Sequence, residues 1–304
     1  MESTEGPDPH AFTAPFMLTK TMRREIYPAV DPSTNTSLSA KGKVVIVTGA
    51  SGGIGFAIAR AWALAGAKAV VLVGRRLEAL EKAAKDLETT AATLLLTGDI
   101  SALQDAEAIV KQAAAKFGRI DALVNAAGPM NVGPVGTIDP EAWWQNFEGG
   151  VRGKFNMIHA FIHATGGEGT VVNIASLGAS FLMPGMSGYS SSMLAVVKLG
   201  ECLDVEHPKL RVFTVHPGMV EAENGRGMVV DSLLPFSKDK AALTGGLILY
   251  LATPRADFLR GGYVHANWDV DELEQHKDEI TEKTLVKLGF LNAQLQVGGY
   301  PWSS

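Results

Sequence analysis

The stretch VVIVTGASGGIG, residues 44–55, decides the fold of this chain. Its first part, residues 44–47, is a short run of β-branched side chains, which is typical of a strand buried on both faces. Four glycines follow within seven residues, and the Ala-rich residues 56–64 then favour a helix. The sequence therefore predicts a strand, a tight turn and a helix in direct succession, the unit from which parallel α/β sheets are built.

The glycines of this turn indicate what it binds. Without a Cβ atom, glycine lets the chain turn sharply and lets its backbone approach a pyrophosphate closely. The N-terminus of the following helix adds free N–H groups and the positive end of the helix dipole. The same glycines also suit an ordinary tight connection, but their place after the first strand of an α/β run favours a dinucleotide site. The residues predicted to contact the phosphates are Gly49, Ser51, Gly53, Ile54 and Gly55.

Strands and helices alternate along the rest of the chain. This alternation predicts one doubly wound parallel sheet, with helices on both faces, over residues 41–270. Residues 1–40 show no sustained period and are expected to form an N-terminal arm, on the surface or disordered, and residues 271–304 a C-terminal extension. Predicted strands occupy residues 44–47, 69–73, 93–97, 122–125, 170–174, 211–215 and 263–266, and predicted helices residues 56–64, 77–87, 102–117, 143–164, 189–205, 238–253 and 271–287.

The composition indicates a cytoplasmic protein. Of the 304 residues 46% are hydrophobic, and the formal net charge of −5 gives no electrostatic reason to expect nucleic acid as a partner. The one cysteine, Cys202, fits a reducing compartment. We expect no signal peptide, because the N-terminus lacks a basic region followed by an apolar stretch, and no membrane span, because no apolar run is long enough.

The end of the second predicted strand bears on the choice of cofactor. Sites for NAD(H) usually carry an acidic residue here that bonds the ribose hydroxyls, whereas an arginine suits the 2′-phosphate of NADP(H). Arg75 and Arg76 stand at this point, although they also suit the solvated start of a helix. We predict NADP(H) as the cofactor, with Arg75 as its phosphate ligand and NAD(H) as the less favoured alternative.

Further matches, in order along the chain, carry a resemblance to a known family. They are Asp99-Ile100 after the third predicted strand, Asn125-Ala126-Ala127-Gly128 at the end of the fourth, Ser176 and Tyr189 thirteen residues apart, and Pro217-Gly218 after the sixth. Over about residues 40–270 the chain resembles the short-chain dehydrogenases/reductases, whose fold is of the Rossmann type. Residues 27–32 and 268–273 are similar to a fungal branch of that family that is often found in secondary metabolism.

The resemblance implies a role for each matching residue. Tyr189 exchanges a proton with the substrate oxygen as hydride moves to or from the nicotinamide, and Ser176 holds the same oxygen. The other implied cofactor contacts are Asp99 and Ile100 at the adenine, Asn125, and Pro217, Gly218 and Val220 near the nicotinamide. The family's usual dimers and tetramers pair the long helices predicted here at residues 143–164 and 189–205, so a homodimer or homotetramer is expected.

The resemblance fails at three polar positions near the reacting end of the cofactor. The family's lysine, four residues after the tyrosine, is Met193 here, its helix asparagine is Gly150, and the hydroxyl that meets the nicotinamide amide is Ala222. The lysine lowers the tyrosine pKa from about 10 to near 7, which takes roughly 4 kcal/mol of local electrostatics. Methionine supplies none, so proton transfer through Tyr189 is expected to lose on the order of 10²–10⁴ in rate.

Three explanations stay open for these departures. In the first, another cation substitutes: Lys154 lies one helical turn after Gly150 and is our candidate catalytic lysine, and Lys198 lies farther along the tyrosine helix. In the second, the protein has lost net redox chemistry and uses its pocket for isomerisation, cyclisation or elimination. The third, an engineered replacement at Met193, leaves the other two departures unexplained.

The segments expected to border the substrate are apolar and rich in methionine. They suit an adaptable hydrophobic pocket at the carboxyl ends of the strands, although each residue alone suits core or dimer packing equally well. The histidines are not spaced as metal ligands, so we expect no metal and interpret His216 as structural. The candidates are Pro129, Met130, Val132, Phe181, Leu182, Met183, Pro184, Met186, Met219, Val220, Met228 and Val229.

Two functions from the same scaffold are therefore close competitors. The first is an NADP(H)-dependent oxidoreductase acting on a carbonyl or hydroxyl of a small, largely apolar metabolite. The second is a redox-silent isomerase or cyclase. A third, a non-catalytic cofactor-binding protein, is disfavoured because both Ser176 and Tyr189 are retained.

Overall fold

The computed structural model describes residues 7–87, 91–220 and 231–289. Within these residues seven strands join in one sheet, and every pairing is parallel. The doubly wound parallel sheet expected from the alternation of strands and helices is confirmed. The strands are β1 (Val44–Thr48), β2 (Ala69–Gly74), β3 (Ala92–Thr97), β4 (Ala122–Asn125), β5 (Gly169–Ile174), β6 (Leu210–His216) and β7 (Tyr263–His265).

The strand order, β3-β2-β1-β4-β5-β6-β7, contains one reversal of direction. From β1 the chain builds outward through β2 and β3, then returns to the other side of β1 to begin β4. The loops that follow β1 and β4 therefore diverge and leave a crevice at the carboxyl ends of these strands. Open α/β sheets bind their ligands at such a crevice.

Helices cover both faces of the sheet. They are α1 (Gly53–Leu64), α2 (Leu77–Asp86), α3 (Leu103–Phe117), α4 (Pro140–Phe147), α5 (Gly153–Thr165), α6 (Ser187–Glu206), α7 (Ala241–Leu251), α8 (Val270–Gln275) and α9 (Lys277–Glu282). Successive side chains of β1 point to opposite faces. Val45 and Val47 join the core under α1 and α7, whereas Val44 and Ile46 join the core under α3 and α5.

The long helix predicted at residues 143–164 is present as a continuous helical run over residues 140–165, but it is not α-helical throughout. α4 ends at Phe147, one π-helical turn spans Glu148–Arg152, and α5 begins at Gly153. The adjacent glycines Gly149 and Gly150 explain the irregularity, because glycine is the poorest helix former after proline. Wide turns of this kind often occur at functional sites.

The prediction of a single helix at residues 271–287 is wrong in the number and the length of its helices. The structure has two short helices there, α8 and α9, which meet at His276. Each buries only part of one face, through Val270 and Leu273 in α8 and Ile280 in α9. Two short helices follow the curved surface of the domain where one straight helix would leave it.

Residues 7–40 lie on the sheet domain and add to its core. Tyr27, Val30 and Leu38 are buried in the same cluster as the inner faces of α1 and α7. The backbone of Val30 packs so closely on α7 that a Cβ at Gly246 would lie 2.1 Å from the Val30 carbonyl oxygen. Among the described residues, no helix is long and apolar enough to cross a membrane.

Candidate active site

The Gly-rich turn between β1 and α1 forms a cradle that only glycine permits. Gly49 and Gly53 have positive φ angles of +70° and +55°, a region that L side chains avoid. A Cβ at Gly55 would lie 2.3 Å from the Gly49 carbonyl oxygen, so any side chain there would push the turn apart. No side chain caps the N-terminus of α1. Its first N–H groups are therefore available to an anion, as expected for a phosphate site.

Two arginines stand at the adenosine end of the cleft. Arg75 and Arg76 follow β2, are exposed, and line the cleft beside the Gly-rich turn. Asp99, after β3, faces the same space. Hydrogen bonds from Ser101 hold the pKa of the Asp99 carboxyl below its usual value, and the charge of Arg75 acts in the same direction. Asp99 is therefore a carboxylate in the neutral pH range, able to accept hydrogen bonds from a bound nucleoside.

Ser176 and Tyr189 meet at the opposite end of the cleft. Ser176 follows β5 and Tyr189 lies in the first turn of α6, both side chains line the cleft, and the Ser176 hydroxyl is close enough to act on the pKa of Tyr189. A Cβ at Gly178 would lie 3.4 Å from both Ser176 Oγ and the Tyr189 ring, so a glycine there keeps the pair accessible. Burial raises the pKa of Tyr189, and the Ser176 hydroxyl acts in the opposite direction. The pair can hold a substrate oxygen and exchange a proton with it.

Met193 and Gly150 occupy one space between α6 and the π-helical turn. Met193 is 3% exposed, and its Cε lies 3.4 Å from the position of a Cβ at Gly150. The thioether therefore lies in van der Waals contact with the place where a side chain at residue 150 would begin. Among the described residues, no cation contributes to the pKa of Tyr189. The two departures from the family pattern are thus one packing arrangement, which leaves the tyrosine without an ammonium partner.

The structure does not bring Lys154 to Tyr189. Its side chain is buried, and its Nζ donates a hydrogen bond of 2.7 Å to the Ala127 carbonyl oxygen. Nζ also lies 3.3 Å from the position of a Cβ at Gly128, a residue that lines the cleft. Burial lowers the pKa of Lys154 to about 8. The ammonium thus sits directly behind the cleft wall after β4, and Lys198, the other lysine considered, is exposed and paired with Glu201.

Asn125 does not reach the cleft. Its side chain is fully buried between strands, where its Nδ2 donates to Asn173 Oδ1 at 3.0 Å. The two asparagines are register partners on β4 and β5. Asn125 therefore ties the two strands together beneath the cleft.

Comparisons with known proteins decide the family. The family described as short chain dehydrogenase matches residues 43–230. The chain belongs to the short-chain dehydrogenase/reductase family. Short chain dehydrogenase mpl6 of Monascus purpureus is 34% identical over 278 residues, which cover 87% of this chain and 93% of that protein. Short chain dehydrogenase pigC of Monascus ruber is 31% identical over 291 residues, covering 90% and 94%. These relatives are fungal, in agreement with the expected branch.

Solved structures of dehydrogenases share the fold. A dehydrogenase/reductase from Sinorhizobium meliloti 1021 superposes with a TM-score of 0.69 at 27% identity, over 76% of this chain and 95% of that one. An actinorhodin polyketide ketoreductase with NADPH gives a TM-score of 0.68 at 26% identity, over 74% and 95%. The crevice at the strand ends is thus the dehydrogenase/reductase cleft, here about 900 Å³ in volume.

The dehydrogenase/reductase cleft contains most of the residues that the sequence singled out. Lys154 and Asn125 lie behind its wall, and Ala222, Met228 and Val229 lie outside the described residues. Leu182, Met183, Pro184 and Val132 do not line it, and Leu182 is fully exposed. The expected residues that do line it are Gly49, Ser51, Gly53, Ile54, Gly55, Arg75, Asp99, Ile100, Ser176, Tyr189, Pro217, Gly218 and Val220, with Pro129, Met130, Phe181, Met186 and Met219 on the apolar side.

Gln145, Glu148 and His216 are among the lining residues that were not expected from the sequence. Gln145 lies in the last turn of α4 and Glu148 begins the π-helical turn, and no period in the sequence marks that turn. His216, interpreted as structural, lines the cleft at the end of β6, and the Leu177 N–H donates to its Nδ1 at 3.1 Å. Its position at a strand end was the available signal. Burial lowers its pKa to about 3, so the ring is neutral.

Metal ligands do not gather anywhere in the described part of the chain. Residues 7–87, 91–220 and 231–289 contain no group of three His, Cys, Asp or Glu side chains that could hold a metal ion.

Proposed function

We propose that this chain is an NADP(H)-dependent oxidoreductase that acts on a carbonyl or hydroxyl of a small, largely apolar metabolite, in fungal secondary metabolism. The observation that carries the proposal is that Ser176 and Tyr189 line one end of a cleft whose other end presents an uncapped helix N-terminus and two arginines. The fungal relatives and the ketoreductase with NADPH support it. We further propose a cytoplasmic location.

The residues present fit a nicotinamide dinucleotide. The turn is tight because a Cβ at Gly49 or Gly55 would collide with neighbouring backbone, and because Gly49 and Gly53 have positive φ angles, so the path that presents its N–H groups to a pyrophosphate depends on glycine. The cleft volume of about 900 Å³ lies near the upper end of the range for ligand pockets. Arg75 would bind the 2′-phosphate, and Asp99 and Ile100 would border the adenine. When bound, the cofactor supplies or accepts the hydride.

The chain's own residues manage the substrate oxygen. Ser176 would donate a hydrogen bond to this oxygen and Tyr189 would give or take its proton. Because burial raises the pKa of Tyr189, its hydroxyl is protonated at neutral pH and is better suited to giving a proton than to taking one. We therefore propose the reductive direction, for which the protonated hydroxyl is the required form.

Lys154 takes a positioning role in this proposal. Its hydrogen bond to the Ala127 carbonyl fixes the chain after β4, and its charge lies behind Gly128 at the cleft wall. It is proposed to favour the negatively charged cofactor and not to lower the pKa of Tyr189. The sequence-based role of a substitute catalytic lysine is revised accordingly.

A redox-silent isomerase or cyclase is the second candidate. It is favoured by the contact between Met193 and Gly150, which leaves Tyr189 without a cation. Such chemistry needs the pair to hold and polarise an oxygen, but needs no hydride.

One experiment tells the two candidates apart. The protein is incubated with a panel of aromatic and polyketide-type ketones, with and without NADPH, while absorbance of the reduced nicotinamide and product mass are followed. The oxidoreductase proposal expects NADPH consumption and a product heavier by two hydrogens. A product of unchanged mass, formed without NADPH consumption, would contradict it and support the second candidate.

The assembly proposed is a homodimer or homotetramer. Phe155 on α5 and Val205 on α6 are large apolar side chains that are 51% and 82% exposed. Both helices correspond to those that pair in the family's oligomers. Sedimentation velocity tests this, with a monomer as the contradicting result.

A further inference from the structure

One buried carboxylate joins the N-terminal segment to the cleft. Arg24 Nη1 donates to Asp239 Oδ1 at 2.8 Å, and the two side chains are 17% and 0% exposed. The other oxygen of this carboxylate, Oδ2, accepts the Met219 N–H at 2.6 Å. Asp239 therefore stands between an arginine of the N-terminal segment and the turn that follows β6.

This turn lines the cleft and depends on Asp239 for its position. Pro217, Gly218, Met219 and Val220 all border the cleft. Gly218 has a φ of +86°, and a Cβ there would lie 2.6 Å from Asp239 Oδ2. The backbone N–H of Asp239 donates in return to the Met219 carbonyl at 3.0 Å. The carboxylate and the turn are thus closely packed and hydrogen-bonded, so a displacement of Asp239 displaces the turn.

Arg24 is one of the groups that oppose protonation of this buried carboxylate. Burial raises the pKa of Asp239, while a hydrogen bond from Asn267, the charge of Arg24 and the Met219 N–H act in the opposite direction. A buried carboxylate that loses its cation tends to take up a proton or to draw in water. Either change alters the oxygen that the Met219 N–H depends on.

Aromatic side chains attach the same segment to the substrate side. Phe12 packs against Phe181 and Phe236, with ring centroids 5.7 Å and 4.7 Å apart. Phe16 lies 6.4 Å from Phe181. Because Phe181 lines the cleft, the N-terminal segment supports the cleft wall on both sides of the turn.

We propose that Arg24 is a positioning residue for the nicotinamide end of the cleft, and that its ion pair with Asp239 makes residues 10–24 a working part of the site. The proposal rests on the proposed function only in taking a nicotinamide dinucleotide as the ligand.

The neighbouring arginine provides a matched control. Arg23 Nε pairs with Asp269 at 2.6 Å, and that carboxylate is also buried, with 4% of its side chain exposed. Asp269, however, caps the N-terminus of α8 by accepting the Glu272 N–H, and it does not line the cleft. Arg23→Gln and Arg24→Gln thus remove the same kind of ion pair from adjacent positions, and only one of them reaches the turn.

Binding of two ligands separates positioning from general loss of stability. NADPH extends to the nicotinamide end, whereas adenosine 2′,5′-bisphosphate occupies only the adenosine end. Arg24→Gln is expected to raise the Kd of NADPH about tenfold and to leave that of the bisphosphate unchanged, and Arg23→Gln to change neither. If Arg24→Gln leaves NADPH binding unchanged, or weakens both ligands equally, the proposal is overturned. If Arg24→Gln does not fold, Arg24→Lys, which keeps the charge but loses the Nη2 group that donates to the Pro9 carbonyl, is compared in the same way.

Hydrogen exchange tests the same contact without any ligand. In Arg24→Gln the Met219 amide is expected to exchange faster than in the wild type by about tenfold, while Arg23→Gln leaves it unchanged. If the wild type binds neither NADPH nor NADH, the cofactor proposal fails, but the exchange result still decides the role of Arg24. Equal protection in all three proteins overturns it.

Discussion

At the scale of single residues, the Lys154 ammonium is 2% exposed and lies directly behind the cleft wall. Lys154 has the Ala127 carbonyl as its hydrogen-bond partner within the described residues, so two of its three N–H groups face no acceptor there. Water solvates this charge in the unfolded chain but not in the folded one, and burial therefore favours the neutral amine. The value of about 8 for its pKa reports that preference.

Lys154 is predicted to make stability depend on pH in the alkaline range. Its pKa falls from 10.5 to about 8 on folding, so the stability it contributes is present above pH 10.5 and is lost as pH falls through 8. The free energy of unfolding of the wild type minus that of Lys154→Met is expected to increase by about 3 kcal/mol as the pH is raised from 8 to 10.5. Urea unfolding at a series of pH values measures it. A difference that does not vary with pH would show that the ammonium is solvated.

Arg75 is predicted to discriminate between the two nicotinamide cofactors. It lines the cleft where a 2′-phosphate would lie, and a charged hydrogen bond of this kind is worth about 1.5–3 kcal/mol before solvent screening. Because Arg75 is exposed, Arg75→Ala is expected to raise the Kd of NADPH roughly tenfold and to leave that of NADH unchanged. Fluorescence titration of both cofactors measures this, with Arg76→Ala as the neighbouring control. Equal weakening of NADPH and NADH would assign Arg75 to the shared part of the cofactor.

At the scale of elements, α6 contacts the π-helical turn through Met193 and Gly150, two of the positions at which the sequence differs from the expected family pattern. The Met193 Cε lies 3.4 Å from the position of a Cβ at Gly150. Neither residue can be changed to its family counterpart alone without conflict. An asparagine at residue 150 would crowd the thioether, and a lysine at residue 193 would place an ammonium in an apolar cluster with Ala175, Val196 and Val197.

This arrangement predicts that the two positions are energetically coupled. Met193→Lys and Gly150→Asn are each expected to lower the free energy of unfolding by about 2 kcal/mol, through a buried charge and overpacking respectively. The double variant is expected to lose less than the sum, with a coupling of roughly 1–3 kcal/mol. Chemical denaturation of the four proteins gives this value. Strict additivity would show that the two sites are independent. In the double variant the new ammonium also lowers the pKa of Tyr189, so any NADPH-dependent turnover should rise.

The elements themselves were largely predictable because each strand is a short apolar run with a turn at its end. The buried sheet needs such runs, and β1 shows one directly in residues 44–48. The π-helical turn was not predictable, because it depends on what packs against Gly149 and Gly150. A Cβ at Gly149 would meet Pro129 at 2.7 Å, a contact that only the folded chain creates. The place of Lys154 behind the wall and the pairing of Asn125 with Asn173 likewise follow from tertiary contacts.

At the scale of the whole molecule, the two ends of the described chain hold each other. Tyr27 is 7% exposed, and its hydroxyl oxygen accepts the Val270 N–H at 2.8 Å. Val270 is the first residue of α8, so its N–H has no partner within the helix. Met22 and Trp268 form an antiparallel bridge beside this contact, and Arg24 continues from it to Asp239. The N-terminal segment, α8 and the cleft turn are therefore expected to unfold together with the sheet.

Tyr27→Phe tests this cooperation by removing one acceptor between the two ends. The buried Val270 N–H is then unpaired, which is expected to lower the free energy of unfolding by about 1–3 kcal/mol. Tyr263→Phe is the matched control, because the buried Tyr263 hydroxyl has no hydrogen-bond partner in the described structure, and its removal is expected to leave stability unchanged or higher. Thermal unfolding should shift as one transition in Tyr27→Phe, since the lost bond belongs to the same cooperative unit as the sheet. A separate early transition would instead mean that residues 7–40 and α8 detach while the sheet stays folded. In that case the contact between Arg24 and Asp239 would be lost below the main unfolding temperature. Cofactor affinity would then fall at temperatures at which the sheet is still folded.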